Sequence, residues 1–227
     1  MCLVINWIMK NLALLDGSHS KAPLRNFRRE VPANIERIDL QEAEVDNLDG
    51  YDGAIIAGSS SSVLDDEEWI RQAGQLVEEA VNQLSLPVLG VCWGSQLLAH
   101  VNGGTVERGS VRELGYRTVN QTNIKHSIFK GIEDNFTAFQ SHGDYITDIP
   151  SEAELLAENN QANQAFSYKS SVGVQFHPEV DYTAAENLVS KYKNENTTEN
   201  PSYSIDEWAR SEQTSDILRN FVYEMVR

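Results

Sequence analysis

The segment GVCWGSQLLAH places Cys92 between Gly90 and Gly94, directly after an apolar run. A cysteine between glycines, after a buried strand and before a helix, is the pattern of a nucleophile elbow, in which a tight turn strains the backbone of the nucleophile. The N-terminus of the following helix favours a thiolate, and the amide of Trp93 would be placed to stabilise an oxyanion. The alternative is that Cys92 is a small buried residue at the end of a strand.

A cysteine nucleophile needs a base, and the base needs a group that orients it. His177 follows the apolar stretch VGVQF, and Glu179 stands two residues further along the chain. A histidine at the carboxyl edge of a neighbouring strand can reach Cys92, and Glu179 can bond its far ring nitrogen. The alternatives are a metal pair or a simple turn. No HExxH motif or clustered ligand spacing accompanies the pair, so we expect neither a metal nor a cofactor.

Alternating strands and helices are predicted in the first half of the chain, where these residues would be positioned. Buried strands are predicted at residues 2–9, 35–40, 51–58 and 86–91, and helices at 23–31, 65–84 and 95–104. Apolar residues recur at three- and four-residue spacing in the second of these helices, which predicts one apolar face. The alternation favours an α/β domain with a mostly parallel sheet.

In the second half of the chain the sequence predicts short strands separated by turns, which favours antiparallel pairing. These strands are predicted at residues 116–121, 136–140, 153–159, 163–168 and 171–176, and helices at 181–194 and 204–227. The predicted fold is therefore α/β, with an open, mostly parallel sheet flanked by helices and additional antiparallel strands. We expect one catalytic domain over residues 1–190, with residues 191–227 forming a polar loop and a helix packed on it.

Length and charge exclude several classes of function. The chain has 227 residues, which fits one domain, and a formal net charge of −16, which opposes binding to phosphate backbones and anionic membranes. Cys2 and Cys92, the only cysteines, do not suggest a disulfide framework. The first apolar stretch ends at Lys10 and lacks a signal-peptide pattern. We expect a cytoplasmic protein with neither nucleic acid nor a membrane as a partner.

These motifs resemble those of a known family. PVLGVCWGSQLLA, followed by GVQFHPEV, is similar to the class I (triad-type) glutamine amidotransferases, which carry G-x-C-x-G-x-Q and a later H-P-E. The likeness is greatest to the amidotransferase domain of GMP synthase and its free-standing relatives. YDGAIIAGSSSSV stands where that domain has a glycine-rich loop, and GGTVERGSVRELGY and FQSHGDYIT resemble two further segments. The resemblance covers roughly residues 50–180 with good specificity and the flanks more weakly.

The resemblance implies a role for each matching residue of the central motifs. Cys92 matches the nucleophile, His177 the general base and acid, and Glu179 the orienting carboxylate. Gln96 matches the family glutamine that helps to hold the substrate, and Trp93 follows the nucleophile as the source of an oxyanion amide.

The resemblance of YDGAIIAGSSSSV and FQSHGDYIT to family segments implies the remaining site residues. Gly58 and Ser59 match the second source of oxyanion amides, although the family loop usually reads Gly-Gly-Pro and this one reads Gly-Ser-Ser. A positive φ at Ser59 would cost more than at glycine. The segment that contacts the α-amino and α-carboxylate ends of the substrate is matched by Ser141, His142 and Gly143. For His142 the alternative is a turn residue hydrogen-bonded by Asp144.

The implied activity is glutamine amidotransferase activity of the glutaminase type, in which the side-chain amide of glutamine is hydrolysed through a thioester. In the family, ammonia usually passes to a synthetase domain or subunit. No SGGxDS-type phosphate loop occurs in this sequence, so the acceptor site would belong to another polypeptide, a separate synthetase. Two alternatives are a γ-glutamyl hydrolase or peptidase with the same triad, and a non-catalytic regulatory subunit that kept the fold.

Overall fold

The structure, a computed structural model, describes residues 9–18, 20, 22–42, 45, 47–123, 125–193 and 205–226. Its strands are β1 (Asn11–Asp16), β2 (Asn34–Asp39), β3 (Gly53–Ile56), β4 (Val88–Val91), β5 (Thr105–Gln121), β6 (Asn135–Asp148), β7 (Glu154–Glu158), β8 (Asn163–Tyr168) and β9 (Ser171–Val174). Its α-helices are α1 (Ala22–Glu30), α2 (Glu68–Asn82), α3 (Trp93–Val101), α4 (Tyr182–Lys193), α5 (Ile205–Ser211) and α6 (Asp216–Asn220). Two 3-10 turns, Ser127–Phe129 and Glu212–Ser215, and a π-helical turn, Phe221–Met225, complete these elements.

The strands of the described residues form one sheet in the order β2-β1-β3-β4-β9-β8-β7-β5-β6. The five strands from β2 to β9 pair in parallel, and the pairings from β9 through β8, β7 and β5 to β6 are antiparallel. This mixed sheet, flanked by helices, confirms the predicted α/β fold. Strand β9 joins the two halves, because it pairs in parallel on one side and antiparallel on the other.

Strands β1, β3, β4 and β9 are buried on both faces, which explains why they read as largely apolar runs, whereas the edge strand β2 is partly exposed. Leu12 and Leu14 of β1 point into one core layer, and Ala13 and Leu15 point into the other, because side chains alternate along a strand. The predicted apolar face of α2 packs into the second layer. Its buried residues are Ile70, Ala73, Gly74, Leu76, Val77, Ala80 and Val81.

Two predicted strands are longer in the structure, and a third lies almost wholly outside the described residues. The predicted first strand, residues 2–9, lies outside the described residues except for Met9, which is not in a strand, and the first described strand is β1. The short strands predicted at 116–121 and 136–140 are the distal parts of two long ribbons, β5 and β6. Their pairing shifts register between Arg108 and Glu113, and this irregularity interrupts the alternation that marks a strand in the sequence.

The C-terminal segment is helical, as predicted, and it joins the main core. Ile217, Leu218 and Phe221 are fully buried and share a core layer with Leu12 of β1. Helix α4 continues across residue 190, so the predicted division of the chain at that point stays a prediction. No helix in the described ranges combines the length and apolar character needed to cross a membrane.

The C-terminal helices should contribute strongly to stability. We expect Leu218→Ala to lower the free energy of unfolding by about 2–5 kcal/mol, because it removes a fully buried side chain and leaves a cavity. The matched control is Leu84→Ala, since Leu84 is 37% exposed and its removal should cost within about 0.5 kcal/mol. Urea unfolding followed by circular dichroism measures both, and equal losses would show that the C-terminal segment is not part of the cooperative core.

Candidate active site

The pairing of β4 with β9 brings the two predicted catalytic segments to one edge of the sheet. Val91 lies opposite Val174 in this parallel pair, and the amide of Cys92 donates to the carbonyl of Val174 at 2.8 Å. Since parallel strands end at the same edge, the residues that follow β4 and β9 meet there. His177 is fixed in this loop by a hydrogen bond from its amide to the carbonyl of Phe139 at 2.9 Å.

Cys92 has the strained backbone of a nucleophile elbow, with φ 54° and ψ −109°. Such a conformation costs a non-glycine residue on the order of 1–3 kcal/mol. The turn is tight enough that a Cβ on Gly90 would lie 2.5 Å from the carbonyl oxygen of Gly94, and a Cβ on Gly94 would collide with the backbone of Ile56. Helix α3 starts at Trp93, so the N-terminal amides that lack intrahelical partners lie beside Cys92.

His177 and Glu179 form a pair that is almost sealed from solvent. His177 Nδ1 lies 2.9 Å from Glu179 Oε1, and the two side chains are 11% and 7% exposed. Because the carboxylate accepts from Nδ1, the imidazole presents Nε2 toward its other side. A Cβ on Gly58 would lie 3.2 Å from His177 Cε1 and 3.7 Å from Cys92 Cβ, so these three residues are close neighbours.

The charges around His177 favour its protonated form. Burial lowers the pKa of His177, but the charges of Glu179 and Cys92 and the hydrogen bond to Glu179 outweigh burial and raise that pKa well above its ordinary value of about 6.5. Nε2 is buried and no described residue satisfies hydrogen-bond geometry with it. We therefore take Cys92 to act on the imidazole through its charge at close range rather than through a formed hydrogen bond.

A cavity of about 120 Å³ opens beside the sulfur of Cys92. It is lined by Ser59, Ser60, Ser61, Ser62, Cys92, Trp93, Gln96, Arg112, Ser141, His142, Gly143 and Asp144. Seven of the ten predicted site residues are among them. The other three are not among the lining residues: Gly58 adjoins both Cys92 and His177, and Glu179 bonds His177. The structure thus brings together residues from four separate segments of the sequence.

Gln96 lies at the cavity with its amide nitrogen already engaged. Nε2 donates to the main-chain carbonyl of Asp144 at 2.9 Å and to Gln175 Oε1 at 3.1 Å. A carbonyl oxygen only accepts, which fixes the orientation of the Gln96 amide. Any contact of Gln96 with a bound molecule would therefore use its Oε1 as an acceptor.

The loop of residues 59–62, which lines the cavity, is hydrogen-bonded to neighbouring segments at both of its ends. Ser59 Oγ donates to the carbonyl of Gly17 at 3.0 Å, and Ser62 Oγ bonds the carboxylate of Asp144. Ser59 is not among the residues with positive φ, so serine carries no conformational penalty at the position where the family usually has glycine.

His142 lies within strand β6 rather than in a turn. Its Nδ1 donates to the main-chain carbonyl of Asp144 at 3.0 Å, and its Nε2 lies 3.1 Å from Glu113 Oε2 with both side chains almost fully buried. Glu113 also accepts from Asn159 at 2.9 Å. Nδ1 makes the hydrogen bond that fixes the ring, whereas Nε2 faces the Glu113 carboxylate without forming a hydrogen bond among the described residues. The ring lies between Ser141 and Gly143, which line the same cavity.

The described residues contain no group of three or more His, Cys, Asp and Glu side chains that could hold a metal ion.

Sequence reasoning did not assign several residues of this region, among them Ser60, Ser61 and Ser62 of the cavity lining. Arg29 of α1 donates to the main-chain carbonyl of Glu179 at 2.9 Å and pairs with Asp181 at 2.6 Å, which fixes the turn after His177. Arg112 and Asp144 line the cavity. Both stand in segments that carried the family resemblance, whereas nothing in the sequence around Arg29 indicates its contact with a turn so distant in the chain.

The range that matches a family model contains every segment that lines this cavity. The family model of the class I glutamine amidotransferases matches residues 17–193, so the chain belongs to this family. A crystal structure of a glutamine amidotransferase from Thermotoga maritima superposes with a TM-score of 0.78 at 25% identity, covering 96% of this chain and 99% of that one.

The curated relatives include GMP synthases described as glutamine-hydrolysing. The one from Azoarcus sp. (strain BH72) is 33% identical over 190 residues, which cover 73% of this chain and 35% of the relative. The one from Clostridium novyi (strain NT) is 41% identical over 110 residues, which cover 47% of this chain and 21% of the relative. The chain therefore spans about a fifth to a third of the length of these relatives and is related to their amidotransferase domain.

The raised pKa of His177 predicts a pH-dependent contribution to stability. A proton held more tightly in the folded state stabilises it fully below about pH 6.5, and this stabilisation is lost as the pH rises through the higher folded-state pKa. We expect the stability difference between the wild-type protein and His177→Gln to shrink as the pH rises from 6 into the alkaline range. Urea unfolding at a series of pH values measures it, and a difference that stayed constant would contradict the assignment.

Proposed function

We propose that this protein hydrolyses the side-chain amide of glutamine to glutamate and ammonia through a triad of Cys92, His177 and Glu179. One observation carries the proposal: a cysteine with the strained backbone of an elbow and a glutamate-bound histidine lie at one sheet edge, beside a cavity. Membership in the class I glutamine amidotransferase family supports glutamine as the substrate.

The first half of the reaction forms a thioester. The thiolate of Cys92 attacks the side-chain amide carbon of glutamine and forms a carbon–sulfur bond, while the carbonyl oxygen takes up negative charge. His177 then gives the proton on Nε2 to the amide nitrogen, the carbon–nitrogen bond breaks, and ammonia leaves. Glu179 stays ionised and holds the imidazole in the tautomer that this transfer requires.

The second half releases glutamate. Neutral His177 removes a proton from water as the water oxygen attacks the thioester carbon, and the collapse of the tetrahedral intermediate returns the thiolate and the imidazolium. The charge-favoured imidazolium suits this cycle, because the resting site then already holds the proton that the leaving group needs.

The oxyanion of each tetrahedral intermediate would be held by the amides of Trp93 and Ser59. Trp93 begins α3, where the first amides have no partner within the helix, and Ser59 lines the same cavity. One such donor typically contributes about 3 kcal/mol to the stability of the transition state.

We assign the ammonia to a separate synthetase that supplies the acceptor. The GMP synthase relatives are three to five times as long as the matched part of this chain, and their names combine glutamine hydrolysis with synthesis. Copurification of partners from a native extract, followed by an assay of any recovered synthetase with this protein and glutamine, tests the assignment. A recovered synthetase that makes no use of ammonia from this protein would contradict it.

Substitution of the proposed nucleophile tests the function directly. We expect Cys92→Ala to abolish ammonia release from glutamine while the circular dichroism spectrum is unchanged, because the substitution removes only one sulfur atom from a small buried side chain. Retained turnover would refute the nucleophile assignment.

The same assay decides between substrates. Release of ammonia from free glutamine, especially with a synthetase present, supports the amidotransferase reaction. Turnover of γ-glutamyl peptides or conjugates alone would instead identify a γ-glutamyl hydrolase, and failure of Cys92 to react with a glutamine-like electrophile in the folded protein would identify a non-catalytic subunit.

The two other triad residues should differ in the size of their effects. We expect a larger loss of kcat for His177→Ala than for Glu179→Gln, because the histidine transfers the proton and the glutamate orients it. Both variants are to be compared with Glu212→Gln, which neutralises an exposed carboxylate. Equal or reversed losses for the two triad variants would contradict these roles.

A further inference from the structure

We propose that Arg112 binds the α-carboxylate of the substrate and thereby selects amides that carry a free α-amino acid end. This inference rests on the proposed function and extends it to a residue that no motif assigned. Arg112 lines the cavity beside Cys92 and is the only lysine or arginine among the described residues that do so. In a chain with a net charge of −16, a cation at this position is a distinctive feature.

The guanidinium lies within reach of the carboxylate of a glutamine whose side-chain amide is at Cys92. Arg112 Nη2 is 3.4 Å from the main-chain oxygen of Ser141, and the sulfur of Cys92 is 3.9 Å from the same oxygen. Both groups therefore flank one carbonyl. In glutamine, four carbon–carbon bonds of about 1.5 Å each separate the amide carbon from the carboxyl carbon. A glutamine whose amide carbon reaches the sulfur can therefore extend its carboxylate toward Arg112.

Arg112 has no anionic partner within the described part of the chain. Its hydrogen bonds go to neutral groups: the carbonyl and hydroxyl of Ser141, at 3.4 and 3.5 Å, and the hydroxyl of Tyr192 at 2.8 Å. Its Nε is buried, and none of the described residues forms a hydrogen bond with it. A half-buried guanidinium with unused donors is costly unless an anion binds it, and a carboxylate matches its planar fork.

The side chain is held ready for such an anion. The guanidinium carbon stacks 4.0 Å from the centre of the Tyr192 ring, and the Tyr192 hydroxyl accepts a hydrogen bond from it. Helix α4, which carries Tyr192, thus fixes the orientation of Arg112 before a ligand binds, which lowers the entropy cost of binding. The carboxylate of Asp144 lines the same cavity and supplies the opposite charge for an α-ammonium group.

Two amides that differ only in the α-carboxylate provide the test. The full-length wild-type protein, Arg112→Met, Arg112→Lys and the control Arg117→Met are assayed with glutamine and with 4-aminobutanamide, which lacks the carboxylate. Arg117 lies on the same strand, does not line the cavity and bonds only the carbonyl of Tyr116 among the described residues. We expect Arg112→Met to lower kcat/KM for glutamine by about 10- to 100-fold and to leave 4-aminobutanamide unchanged. Arg112→Lys should recover part of the loss.

Binding measurements separate this inference from the proposed reaction. Calorimetric titration of glutamine into Cys92→Ala protein and into the Cys92→Ala, Arg112→Met double variant reports binding without turnover. We expect the double variant to bind glutamine about 10- to 100-fold more weakly. Equal affinity, or equal losses of kcat/KM for both amides, would overturn the role of Arg112. If glutamine binding depends on Arg112 but the wild-type protein does not turn glutamine over, the proposed reaction is overturned and the role of Arg112 stands.

Discussion

The parallel pairing of β4 with β9 is the interaction on which the candidate site depends. The bond from the Cys92 amide to the Val174 carbonyl sets the register of this pair at the point where both strands end. One residue of slip would turn the following side chains to the other face of the sheet. Because both strands are buried on both faces, the core specifies that register strongly, and the positions of Cys92 and His177 follow from it.

The surrounding structure supports several locally unfavourable features. The positive φ of Cys92, the buried His177–Glu179 pair and the half-buried Arg112 each cost free energy. Each is held in place by neighbouring residues that cannot easily relax. Gly90 and Gly94 leave room for the turn, while Arg29 fixes the loop after His177 from the far side. Such features are concentrated at functional sites because the rest of the fold is stable enough to impose them.

Local patterns in the sequence predicted most of the fold and the central part of the site. The apolar runs before Gly58 and Cys92 and the periodicity of α2 are short-range signals, so they could be interpreted without knowledge of tertiary contacts. Strand β1 was missed because its four-residue apolar run gives a weaker signal than the longer stretch before it. The roles of Arg29 and Tyr192 depend on contacts between residues far apart in the chain, which periodicity does not report.

The position of β9 late in the chain has a consequence during synthesis. The elbow and its helix are contiguous in sequence and emerge from the ribosome first, whereas the histidine follows only after the β5–β6 ribbon and three further strands. Non-local strand pairing forms slowly, since the intervening chain must close a long loop first. A nascent or truncated polypeptide therefore carries Cys92 without His177, and the residues of the proposed triad meet only when the whole sheet has assembled.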